Sequence, residues 1–153
     1  MDVSIWSKVA KKIGDELAAF DSKNADEYQK RRKEYQKKLN DLHTYALMVF
    51  PTIPKKQRVL VTAHDAFSYL GRAYGIEVRG IQGISTESEA GTKDINDLVT
   101  YLVDNKIPAI FVESSVSEKS VKTVIEGAAE KGHTVKIGGE LFSDAMGPAG
   151  TYQ

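Results

Sequence analysis

Apolar side chains recur at three- and four-residue steps through Trp6, Val9, Ile13, Leu17 and Phe20. That is the spacing of one helical face and predicts a helix over residues 3–20. Asp21 and Ser22 break the pattern. Asn24 can accept a hydrogen bond from a free amide of the next helix, and Asp26 and Glu27 suit its positive first turn. From there Tyr28, Tyr35, Leu39, Leu42, Ala46 and Val49 run in near-heptad steps as a buried stripe, until Pro51 and Pro54 end the helix. Its length is about seven turns.

The period changes at Arg58. The run Arg58-Val-Leu-Val-Thr-Ala63 is short, apolar and β-branched, as a buried strand is. Beyond it the chain alternates: helix over 66–74, strand over 76–81, helix over 93–105, strand over 109–113, helix over 118–131, strand over 134–137. Such alternation predicts an α/β fold with a parallel four-stranded sheet, right-handed crossovers and covering helices, preceded by the long helix. Thr92 and Ser117 stand where helix caps belong, and Gly132 where a helix stops. After Ile137 no convincing period remains, and the segment reads as one cut off before a closing helix.

A chain of 153 residues is long enough to bury one core. Lys and Arg number 21 and Asp and Glu 21, so no global field favours nucleic acid or an anionic membrane. The cluster Lys30, Arg31, Arg32, Lys33, Lys37 and Lys38 is interleaved with Glu34 and flanks an apolar stripe, which suits a solvated helix face. The absence of cysteine excludes disulfides, thiolate metal sites and cysteine nucleophiles together. A metal site would need His and carboxylate ligands. No apolar run reaches the length of a membrane span, and residue 1 is not followed by the basic-then-apolar pattern of a secretory signal.

In open parallel sheets, ligands bind beyond the carboxyl ends of the strands. That rule nominates His64 after the first strand, Glu113 at the end of the third and Asp144 in the loop after the last. Imidazole with carboxylate suits zinc, manganese or iron better than calcium. The residues alone leave the alternatives open. A single His at a strand end is more often a structural hydrogen-bonding group, and Asp144 beside Ser143 could cap a turn. Glu113 next to Ser114 and Ser115 could belong to a hydrolase, yet the chain has no Gly-x-Ser-x-Gly elbow, P-loop or dinucleotide fingerprint. His43 and His133 receive no role.

The stretch Val61-Thr-Ala-His-Asp-Ala-Phe67 and its continuation to Gly75 resemble the manganese- and zinc-binding family of ABC-importer solute-binding proteins. So do residues 81–89, Pro108-Ala-Ile-Phe-Val-Glu-Ser-Ser115 and Gly138-Gly-Glu-Leu-Phe-Ser-Asp-Ala-Met-Gly147, in the same order and spacing. The resemblance implies two α/β lobes joined by one long helix, with a metal in the cleft. Residues 1–22 would then end the N-terminal lobe, 23–50 would form the linker, and 51–153 the truncated C-terminal lobe. Of the four ligands the family uses, His64 and Asp144 match the C-terminal pair. Glu113 matches a motif position that is not a ligand, which implies that it orients a ligand or lines the cleft.

The implied function is extracytoplasmic capture of zinc or manganese for an ABC import permease, in a periplasmic or membrane-anchored protein that is not an enzyme. The other two ligands would lie upstream of Met1, so this chain would carry half a site and bind metal weakly. The lobe surface exposed by truncation favours self-association or a helix-swapped dimer. The alternative class is a small α/β enzyme or nucleotide-binding domain.

Overall fold

A computed structural model describes residues 1–84 and 90–144. Residues 85–89 of the 81–89 motif and the chain end from 145 onward lie outside the described residues.

Helix α1 (Val3–Phe20) and helix α2 (Ala25–Val49) form an antiparallel hairpin closed by a short 3-10 turn. Cross-helix pairs converge toward that turn: Trp6 Nε1 donates to the Tyr35 hydroxyl at 3.0 Å, Gln36 to the Ser7 carbonyl at 3.1 Å and Gln29 to Asp15 at 3.2 Å. Asp2 caps α1, its Oδ1 accepting the amides of Ser4 and Ile5. Asn24 departs from expectation. It precedes α2, but its amide donates to Asp21 at 2.8 Å instead of accepting from the helix. Asp21 is the nearer strong acceptor, and it also takes the Tyr28 hydroxyl.

Only part of the expected stripe on α2 is covered. Leu39 and Ala46 are buried, while Tyr35 and Leu42 stay about half exposed. The hairpin is one layer thick, so its apolar residues outnumber the faces available to hide them. On α1, Trp6, Ile13, Leu17 and above all Phe20 face outward.

The remainder is the expected α/β unit: β1 (Val59–His64), α3 (Ser68–Tyr74), β2 (Glu77–Gln82), α4 (Thr92–Asp104), β3 (Ala109–Glu113), α5 (Lys119–Glu130) and β4 (Lys136–Leu141). All strand pairs are parallel, in the order β2-β1-β3-β4. Val61, Ala63, Ile81, Ile110 and Val112 meet Leu98, Leu102, Val121, Val124 and Ala128 of α4 and α5 in one buried cluster. Helix starts differ from the expected caps by a residue or so. Thr92 is the first residue of α4, whereas Ser117 does accept the Lys119 amide at 3.3 Å. Gly132 follows α5 with φ of 78°, the left-handed stop expected there.

β4 runs to Leu141, four residues beyond the predicted end. Two adjacent glycines hide the strand period, because glycine has little β-propensity. Here the missing side chain is required by packing: a Cβ on Gly138 would lie 2.9 Å from the Phe111 ring on β3.

Gly80 has the same role on the other side of the sheet. A Cβ there would sit 2.6 Å from the Asp65 amide nitrogen and 2.8 Å from the His64 carbonyl carbon. Backbone cannot yield as a flexible side chain does. We therefore expect Gly80→Ala to destabilise the fold by about 3 kcal/mol, measured by urea denaturation. A change below about 0.5 kcal/mol would mean that the β1 exit does not need this close approach.

Candidate metal centre

The strand order places a topological switch between β1 and β3, since the chain leaves β1 toward β2 on one side and returns to β3 on the other. Diverging crossovers open a crevice at the carboxyl ends of such a pair. His64 is the last residue of β1 and Glu113 the last of β3. Thr62 stands opposite Phe111, so two residues further along His64 and Glu113 come side by side on one face.

Both side chains are buried. Glu113 Oε1 accepts the backbone N–H of His64 at 2.9 Å. Its Oε2 lies 2.8 Å from His64 Nδ1, but without hydrogen-bond alignment, so neither atom has a directed partner. A small rotation of the ring aligns the two atoms. A carboxylate here fixes the imidazole with its Nδ1 edge inward and its Nε2 edge outward.

Asp144 lies three residues beyond β4. Its carboxylate is 61% exposed and its Oδ2 is 2.9 Å from His64 Nε2. Its loop is tied down nearby, with the Ser114 amide donating to the Leu141 carbonyl at 3.3 Å and the Ser115 and Ser143 hydroxyls 3.1 Å apart. The imidazole thus sits between two carboxylates, a buried one behind it and an open one in front.

The donor chemistry fits a divalent transition metal. Nε2 and the Asp144 carboxylate face a common point, reachable from solvent on the Asp144 side. Two ligands on a tetrahedral zinc with bonds of about 2.1 Å stand about 3.4 Å apart. An ion entering between these atoms needs only a small outward movement of the exposed Asp144. Glu113 addresses the opposite edge of the ring and does not reach that point. Among the described residues, no group of three or more His, Asp or Glu side chains is arranged to hold a metal.

Next to Asp144 opens an apolar cleft of about 890 Å³ lined by Val3, Trp6, Leu42 and Tyr69 among others. Asp2 stands at its edge, its carboxyl held below the ordinary range chiefly by the donating Ser4 hydroxyl, with help from the Ser4 and Ile5 amides. His43 and His133 are engaged elsewhere. His43 Nδ1 pairs with the Tyr74 hydroxyl at 3.0 Å, and His133 Nε2 donates to the Ile107 carbonyl at 2.8 Å. Sequence reasoning missed Thr62, a fully buried hydroxyl in an otherwise apolar strand, and that isolation was the signal available.

The family model described as zinc-uptake complex component A, periplasmic, matches residues 1–153. The manganese-binding lipoprotein MntA of Bacillus subtilis is 48% identical over 149 residues, which is 97% of this chain and 49% of that protein. The zinc-binding protein TroA of Treponema pallidum is 45% identical over 150 residues, 98% of this chain and 49% of that one. The solved periplasmic zinc-binding TroA from Treponema pallidum superposes with a TM-score of 0.93, over 98% of this chain and 54% of its own. The chain spans about half the length of the curated relatives it matches.

Removing the Glu113 carboxylate leaves the buried His64 amide without an acceptor. We expect Glu113→Ala to cost about 2 kcal/mol in denaturant unfolding. An unchanged midpoint would show that the contact contributes nothing to the fold.

Proposed function

We propose, from the premise that this chain belongs to the periplasmic zinc-uptake component A family, that it supplies half of the binding site for a divalent transition metal. The whole protein captures that ion outside the cytoplasmic membrane and delivers it to an ABC import permease. His64 Nε2 and the Asp144 carboxylate are the ligands of this half, and Glu113 orients His64 from behind. One observation carries the reading: a buried imidazole backed by a buried carboxylate presents Nε2 to an exposed carboxylate 2.9 Å away. A carboxylate behind a metal-bound histidine fixes the ring and strengthens it as a ligand.

The ion is cargo, bound and released without bond chemistry. The crevice supports that reading, because the Ser115 hydroxyl meets another serine hydroxyl and not a base. One nitrogen and one carboxylate suit zinc and manganese alike, and the relatives' names divide between the two. The 25-residue α2 spans about 37 Å as a stiff rod and serves as the link between lobes. The extracytoplasmic location follows the lipoprotein relatives. The outward apolar stripe of α1 supports cover by a second lobe, and self-association of this chain where that lobe is absent.

Isothermal titration of zinc into this chain tests the reading. We expect weak binding, abolished by His64→Ala and by Asp144→Ala. Glu113→Gln should weaken it by about tenfold or more, since an amide NH₂ facing Nδ1 favours the tautomer with hydrogen on Nε2. Binding that survives both ligand substitutions would sink the assignment.

A further inference from the structure

The exit of β1 is held by more than the Glu113 contact. Thr62 is completely buried, and its hydroxyl donates to the His64 carbonyl at 2.8 Å. The same carbonyl accepts the Ala66 amide at 3.0 Å, closing a three-residue turn directly after the strand. The His64 amide is taken by Glu113, and the next amide, of Asp65, by the Gln82 carbonyl at 3.2 Å. Gly80 lets β2 approach closely enough for that last bond. The amide and carbonyl of His64 and the amide that follows are thereby all held.

We propose that Thr62 is a positioning residue for metal binding: its buried hydroxyl holds the His64 carbonyl, and so sets the direction in which the His64 ring leaves the strand. The inference rests on the reading of His64 as a ligand. Among the described residues the hydroxyl has no other partner that would explain it. On the apolar interior of β1, valine would fill the same volume without a polar atom needing satisfaction. The loss of one of two bonds to the carbonyl leaves the turn formed but freer to rotate. A few tenths of an ångström at the carbonyl are enlarged at Nε2, at the far end of the ring. Metal coordination is sensitive to displacements of that size.

Thr62→Val, Thr62→Ser and His64→Ala are to be compared in this chain. Zinc is titrated against the imidazole ¹⁵N resonances, with His43 and His133 as internal references. Thr62→Val is expected to weaken zinc binding at His64 Nε2 by about tenfold, while the melting temperature falls by no more than about 4 °C. Thr62→Ser, which keeps the hydroxyl, is expected to restore binding to within about twofold of the parent. A merely structural role would lower the melting temperature and leave the Nε2 titration unchanged.

If Thr62→Val binds zinc like the parent while His64→Ala no longer binds it, the positioning role is overturned and the ligand assignment stands. If His64→Ala binds zinc like the parent, the ligand assignment itself fails. Should Thr62→Val not fold, Thr62→Ser and Thr62→Ala decide. Equal affinity in those two overturns the inference, and loss in the alanine variant alone supports it.

Discussion

The end of the parallel ladder between β1 and β3 is closed by a side chain. Where the next strand residue would offer a carbonyl, Glu113 turns its own carboxylate onto the His64 amide at 2.9 Å. Burying a carboxylate is costly unless its oxygens are engaged, and among the described ion pairs His64 is the only partner of this one. The two residues therefore need one another: Glu113 is tolerable in the interior because His64 faces it, and His64 is aimed because Glu113 stands behind. The same contact ends the sheet and starts the site.

That constraint accounts for the division between rigid and movable parts. His64 is set into the sheet by main-chain bonds on both sides. Asp144 rides on a loop beyond β4, exposed and anchored by serine hydroxyls and one ladder bond. On the proposed reading, uptake and release of an ion would use this asymmetry, with His64 fixed by the core and the exposed Asp144 side chain the one that adjusts. The apolar cleft beside Asp144 and the start of the uncovered α1 stripe at Trp6 lie next to the open side of the site. They are consistent with a partner lobe that would bring the remaining ligands, since zinc ordinarily takes four.

The alternation of helical and strand periods made the α/β order readable, because each element repeats its own spacing several times. β4 was read short, since its glycines answer to the Phe111 ring on another strand and not to local propensity. Asn24 departs from its expected capping role for a similar reason, as its amide finds Asp21 before it finds the helix. His64, Glu113 and Asp144 could be nominated from their places at strand ends. What the residues alone could not decide was whether His64 was structural or a ligand. What the structure adds is that His64 stands beside Glu113, which rests on the register of Thr62 with Phe111, a relation between segments about fifty residues apart. Thr62 is hard to single out because one threonine suits a buried strand as well as valine does; its isolation among apolar neighbours is the local sign, and the carbonyl it meets gives that sign its meaning.

The central claim, that the outward Nε2 of His64 and the Asp144 carboxylate share one metal ion, is tested most directly by anomalous X-ray scattering at the zinc edge from crystals of this chain grown with zinc. The account predicts a peak about 2.1 Å from His64 Nε2 and from a carboxylate oxygen of Asp144, with Glu113 remaining on Nδ1. A peak on the Nδ1 side of the ring, or zinc found only at His43 or His133, would contradict it.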